Sequence, residues 1–168
     1  MSSNHPPPDV LNTQIVTTTE RLFDLTPHDW QTGIIHDLVQ CHRSNNKSNM
    51  LIVRPTGGGK SLVYQVAGYL MKGITLFISP LLALGSDQTR KLRKVTSTQP
   101  DFVSLHLDDM EISSIKEVAN DLSTLKDPQS SQCAVSVILF ASPQLLVGSK
   151  GEPIRMFFWI ITNQLYTW

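Results

Sequence analysis

Short, continuous apolar runs stand at residues 50–53, 74–79, 102–107 and 134–140. Runs of that length, bounded by polar or Gly/Pro residues, predict buried strands. Between them the apolar positions recur at helical spacing. Trp30, Ile34, Ile35, Leu38 and Val39 mark one such face, and residues 62–70, 83–95 and 112–125 carry others. Thr26-Pro27-His28-Asp29 predicts a helix start, with Thr26 as N-cap and Pro27 at the first helical position. Lys72-Gly73 and Asp127-Pro128 predict helix ends, and Pro143 opens a short helical turn. Residues 9–25 hold scattered apolar positions and three successive threonines, and predict no definite element. Alternation of strands and helices implies the α/β class, a mostly parallel sheet with helices on both faces. Ligands of such sheets bind at the carboxyl ends of the strands.

The glycine triplet after the first apolar run adds chemistry to this pattern. Leu51-Ile52-Val53-Arg54-Pro55-Thr56-Gly57-Gly58-Gly59-Lys60-Ser61 reads as strand, glycine loop and helix start. That is the context of a phosphate-binding loop. The glycines let backbone N–H groups approach phosphate oxygens, Lys60 supplies a point charge, and the Ser61 hydroxyl suits Mg²⁺. The N-terminal N–H groups of the following helix add to the attraction. Arg54 stands where the general pattern has its first glycine.

Charge and composition narrow the partners. The 168 residues carry 14 Lys and Arg against 14 Asp and Glu. A net charge of zero gives no global field for nucleic acid, so any such contact is local. The cluster Arg90-Lys91-Leu92-Arg93-Lys94 could track a backbone or could be a solvated helix face. Cys41 and Cys133 are isolated, which implies reduced thiols and no metal site. The five histidines (His5, His28, His36, His42 and His106) are scattered, and no serine sits in a nucleophile elbow. No apolar run reaches membrane length, so no membrane contact is expected. Residues 1–8 are expected to be a disordered, proline-rich tail ahead of one domain over residues 9–168.

Several stretches agree with one family. Arg54-Pro55-Thr56-Gly57-Gly58-Gly59-Lys60-Ser61, followed by Leu62-Val63-Tyr64-Gln65, resembles the nucleotide loop of RecQ-type superfamily 2 DNA helicases. Ile78-Ser79-Pro80-Leu81-Leu82-Ala83-Leu84, with Asp87-Gln88, is similar to that family's next motif. Phe140-Ala141-Ser142-Pro143-Gln144-Leu145-Leu146 resembles a later one, with Gln144 where an acid is usual. Trp30-Gln31 with Ile34 resembles the segment whose glutamine reads adenine, although His28 stands where arginine is common.

The resemblance implies a RecA-like P-loop lobe that binds ATP and Mg²⁺. Gln31 would bond the adenine edge, and Thr56, Gly57, Gly58, Gly59, Lys60 and Ser61 would hold the triphosphate, with Ser61 on the metal. Ser79, Pro80 and Leu81, together with Ser142, Pro143 and Gln144, would contact the phosphates of single-stranded DNA. Two plainer readings stay open: Gln31 as a helix-surface amide, and Ser79 and Ser142 as N-caps of the helices that follow them. The family places an Asp-Glu pair at a strand end after the Pro143 motif. No acidic pair stands there, and Thr162-Asn163-Gln164 offers amides instead. Asp108-Asp109, the sole acidic doublet, comes before that motif.

The expectation is an incomplete helicase lobe, ending before the acidic strand and the second motor lobe and inactive alone. It would be intracellular, nuclear if eukaryotic and otherwise cytoplasmic. Two alternatives are a non-catalytic nucleotide- or nucleic-acid-binding module and another P-loop enzyme, such as a small nucleotide kinase.

Overall fold

The structure, a computed structural model, describes residues 9–44, 49–111, 113, 114, 117 and 135–147. It divides into two compact units, Met1–Met71 and Lys72–Trp168. The tail at 1–8, most of the helix expected at 112–125, and the segment after residue 147 lie outside the described residues.

The first unit is helical. Helix α1 (Val10–Phe23) opens with Asp9, whose carboxylate accepts the Leu11 N–H at 3.0 Å. The threonines do not prevent a helix here. The Thr19 hydroxyl donates to the Ile15 carbonyl at 2.7 Å and that of Thr17 to the Thr13 carbonyl at 3.0 Å, so both are satisfied inside the helix. Leu11, Ile15 and Leu22 form the buried stripe that their polar neighbours obscure in the sequence. Helix α2 (Asp29–Arg43) starts two residues later than the expected Pro27 position, with His28 as N-cap in place of Thr26. The Gln31 Oε1 accepts the His28 N–H at 2.8 Å, and that bond sets the start. Helix α3 (Lys60–Met71) follows the glycine loop. Leu11 and Ile15 of α1, Ile35 and Val39 of α2, and Leu62, Val63, Val66 and Ala67 of α3 make one core. Each of the Leu, Ile and Val side chains among them is worth about 1.5–3 kcal/mol on burial.

The strand expected at 50–53 does not form. Leu51 and Val53 are 88% and 79% exposed, and residues 49–55 have no regular structure. A strand needs ladder partners for its N–H and C=O groups. None of the described residues supplies them.

The second unit is a parallel sheet with its helices. Strand β1 (Gly73–Ile78), helix α4 (Leu82–Thr96), strand β2 (Phe102–His106), a 3₁₀ turn (Leu107–Asp109), strand β3 (Ser136–Ala141) and helix α5 (Pro143–Val147) follow in order. The strand order is β1-β3-β2, with both pairs parallel. All residues of central β3 are buried, which explains its unbroken apolar run. Val137, Leu139 and Ala141 face a cluster with Leu107 and Leu145. Phe102, Ser104 and His106 alternate on β2 toward the other face, which α4 covers. The α/β class with a parallel sheet therefore stands, as expected of a RecA-like lobe. Lys72 and Gly73 both have left-handed backbone (φ 59° and 79°), which ends α3 where the sequence predicts.

Candidate nucleotide and nucleic-acid sites

In the first unit the glycine loop wraps the start of α3. Gly57 and Gly59 have φ of 78° and 75°, a conformation that side chains resist. The Gly58 N–H donates to the Pro55 carbonyl at 3.1 Å, closing the turn. A Cβ on Gly58 would lie 3.0 Å from that carbonyl oxygen, and one on Gly59 would lie 2.6 Å from Gln31 Nε2. A side chain at Gly58 or Gly59 would therefore press on its neighbours, while at Gly57 there is space and only the left-handed backbone resists one. Lys60 Nζ donates to the carbonyls of Arg54 at 2.9 Å and Pro55 at 2.8 Å, folding its ammonium back across the loop.

Gln31 is 3% exposed, and both ends of its amide are used. Oε1 caps α2, and Nε2 donates to the Gly59 carbonyl at 2.9 Å. The side chain is therefore a buried link between the α2 start and the loop. A cavity of about 390 Å³ opens beside it, lined by Thr26, His28, Trp30, Arg54, Gly57 and Leu62 among others. Its size is that of a small-ligand pocket. The Arg54 guanidinium stacks on the Trp30 ring at 4.6 Å, a role that a glycine at position 54 could not fill. Arg54 and Trp30 thus form a cationic aromatic wall whose joint role the sequence hid, since nothing in the spacing pairs them. Thr56 is exposed in the turn. Ser61 hydrogen-bonds Tyr64, whose pKa is raised above the ordinary tyrosine value by burial and partly held down by that bond and one from Gln65.

These features fit a triphosphate and its metal: a glycine cradle a Cβ would fill, a helix N-terminus, a lysine and a serine hydroxyl. Among the described residues no group of three or more His, Cys, Asp or Glu could hold a metal ion by itself.

In the second unit the carboxyl ends of the strands bring the two serine-proline motifs together. The Ser79 N–H donates to the Ala141 carbonyl at 2.9 Å, so Ser79-Pro80-Leu81 lies beside Ser142-Pro143-Gln144. Both serines are buried, but only Ser142 caps the helix that follows it; the N-cap of α4 is Leu81, so Ser79 is not the cap expected there. Ser79 Oγ accepts the Leu81 N–H at 3.2 Å, and Ser142 Oγ accepts the Leu145 N–H at 3.1 Å. Pro80, Leu81 and Gln144 are exposed beside them. The acidic doublet occupies the same edge. Asp108 accepts from Ser142, and Asp109 meets His106. The basic cluster is partly neutralised, because Asp87 holds Arg90 at 2.7 Å and Lys91 at 2.6 Å. Those two bonds, that of Lys91 first, keep the Asp87 carboxyl below its usual pKa. Among the described residues no helix is long and apolar enough to cross a membrane.

Comparison with known proteins agrees with these motifs. The profile of the DEAD/DEAH box helicase family matches residues 28–148. The chain is 32% identical over 103 residues to "ATP-dependent DNA helicase Q-like 4B" of Arabidopsis thaliana, covering 61% of this chain and 8% of that one. It is 31% identical over 105 residues to "ATP-dependent DNA helicase Q5" of Rattus norvegicus, covering 62% of this chain and 10% of the relative. A shorter match, 56% identical over 39 residues, links it to "Probable ATP-dependent DNA helicase RecS" of Bacillus subtilis, covering 23% of this chain and 8% of the relative. The matches thus span no more than about a tenth of these relatives' lengths.

Proposed function

The chain belongs to the DEAD/DEAH box helicase family, and from that premise we propose that it is the ATP- and nucleic-acid-binding lobe of a RecQ-like DNA helicase. The observation that carries the reading is the glycine cradle at the start of α3, with Gly57 and Gly59 in left-handed backbone and Lys60 folded over it. Such a loop offers N–H groups and a mobile ammonium to an anion. Lys60 leaves the two carbonyls it now holds and turns to the phosphates. Thr56, Gly57, Gly58 and Gly59 supply the surrounding backbone, and Ser61 supplies the hydroxyl for Mg²⁺. When bound, that metal would neutralise phosphate charge. Gln31 acts at the rim of the cavity. Its amide reaches an adenine edge by exchanging one of its two internal bonds, or else it remains the link that shapes the loop.

Ser79, Pro80 and Leu81 with Ser142, Pro143 and Gln144 form the nucleic-acid contact. A single DNA strand would lie over the exposed part of these segments, held through its phosphates without reading of bases. The protein works inside the cell, in the nucleus or the cytoplasm.

The test is equilibrium dialysis with a labelled ATP analogue, beside fluorescence anisotropy with a labelled single-stranded oligothymidylate. Lys60→Ala is expected to lower analogue affinity at least about tenfold, since the charge-assisted bonds to phosphate go with it. Equal binding by parent and variant would remove the loop from the nucleotide site.

A further inference from the structure

The doublet Asp108-Asp109 and His106 form a cluster, outside the nucleotide loop, that the reading above leaves without a role. We propose that Asp108 is a positioning residue of the nucleic-acid contact. It fixes the Ser142-Pro143-Gln144 segment, and His106 and Ser86 brace that carboxylate's neighbourhood against α4, the helix that follows Ser79-Pro80-Leu81. The inference rests on the nucleic-acid reading of those two segments.

The Asp108 carboxylate takes both donors of Ser142, the N–H at 2.8 Å and the hydroxyl at 2.6 Å. Bonds to an ionised carboxylate are roughly twice as strong as neutral ones. The Asp108 side chain is only 14% exposed, so these bonds also offset its desolvation. Once Ser142 Oγ donates to Asp108 it can only accept elsewhere, and it does so from Leu145 N–H. The serine is thereby spent on structure. Its hydroxyl proton is committed to Asp108, and the exposed Gln144 is left to face a ligand. Asp108 thus sets the direction in which the segment presents itself.

His106 joins this arrangement to α4. Its ring is 4% exposed, with Asp109 Oδ2 2.7 Å from Nδ1 and Asp108 Oδ2 3.7 Å from Nε2. Ser86 Oγ lies 3.3 Å from the same Nδ1 and donates to Asp109 at 3.3 Å. Gly85 lets the helix close on the ring, for a Cβ there would stand 2.5 Å from Nε2. A hydrolytic triad is not what these residues make. Ser86 and Asp109 meet the same nitrogen, and Asp108, 3.7 Å from the other, is beyond hydrogen-bond distance, whereas a triad needs serine and acid bonded to opposite nitrogens. The cluster is a brace between the strand ends and α4.

The experiment uses the full chain with Asp108→Ala, Asp108→Asn, Ser142→Ala and the Asp108→Ala/Ser142→Ala double variant. Anisotropy reads oligothymidylate affinity, dialysis reads ATP-analogue affinity, and hydrogen exchange follows the amides of residues 142–145. Asp108→Ala is expected to weaken DNA binding about tenfold, with analogue affinity kept and faster exchange at Ser142 and Leu145. Asp108→Asn, which keeps one acceptor, should fall between. The double variant should bind no worse than Asp108→Ala, because both changes break one linkage. Parental DNA affinity in Asp108→Ala despite faster exchange would overturn the proposal, as would tighter binding or additive losses in the double variant. Should Asp108→Ala lose analogue binding through misfolding, Asp108→Asn decides alone: intermediate affinity supports the role and parental affinity overturns it. A parent chain that binds the analogue but no DNA would instead overturn the nucleic-acid reading, and this inference with it.

Discussion

Gly33 and Gly59 belong to the same compact unit and answer to opposite demands. Gly33 lies exposed in α2, and a Cβ added there would meet nothing within 4 Å. Gly59 has φ of 75°, and its Cβ would press on Gln31 Nε2 at 2.6 Å. Gly33→Ala is therefore expected to stabilise the protein by about 0.5–1 kcal/mol, through the helix-interior penalty it removes. Gly59→Ala is expected to destabilise it by about 1–3 kcal/mol, through left-handed strain and the displaced Gln31 amide. It should also weaken analogue binding. Thermal unfolding of the two variants beside the parent checks the pair, and equal shifts would contradict the loop geometry. Gln31 shows the limit of the sequence at this scale. Its identity suggested a reader of adenine, but its position at the third residue of α2 also makes it a cap, and its Nε2 reaches a carbonyl 28 residues away in sequence. Long-range pairing of that kind leaves no trace in local spacing.

At the scale of elements, α3 concentrates the loop's chemistry and one unusual titration. Burial raises the Tyr64 pKa above its ordinary value, more than the bonds from Ser61 and Gln65 lower it. The folded state therefore holds this proton more tightly than the unfolded chain. The resulting stability is fully present below the unfolded pKa of about 10 and is lost as pH rises from there through the folded pKa. Stability should fall in that alkaline window, and Tyr64→Phe should flatten the fall. Denaturant titrations from neutral pH upward, on parent and variant, check this, and parallel curves would exclude Tyr64 as the cause.

The sequence served some elements well and others badly, for physical reasons. Central β3 and the helix α4 that covers one sheet face were legible, because a buried strand reads as a continuous apolar run and an amphipathic helix reads as a period. The glycine cradle was legible because only glycine suits its backbone. Helix α1 was not, since its threonines satisfy their hydroxyls on carbonyls one turn back, which no composition rule weighs. The run at 50–53 misled in the other direction. Apolar content supplies the propensity for a strand, but only a neighbouring strand supplies the hydrogen bonds. The meeting of Asp108 with Ser142, 34 residues apart in sequence, follows from the parallel register of β2 and β3 and from no motif.

For the molecule as a whole, equal numbers of acidic and basic residues leave no long-range field to draw in DNA, so geometry decides which local charges count. Arg90 and Lys91 are already paired with Asp87. Arg93 and Lys94 lie in the last turn of α4. The start of that helix, beside Ser79, is the candidate contact. Eleven residues separate Leu82 from Arg93, which at ~1.5 Å per residue is roughly 16 Å. The screening length at physiological salt is only about 8 Å. A strand bound over the Ser79 and Ser142 segments therefore feels little of these two charges. Their nearer partner is the α4 C-terminus, whose carbonyls carry partial negative charge worth about 0.3–1 kcal/mol per cation. The Arg93→Gln/Lys94→Gln variant should accordingly lose a little thermal stability and keep both its affinity for oligothymidylate and the salt dependence of that affinity. Each phosphate contact removed would flatten the logarithmic salt slope by about 0.7 for a single strand. Anisotropy titrations across a range of salt concentrations resolve a change of that size. A slope shallower by that amount or more would move the DNA path from the carboxyl ends of the strands to the far end of α4.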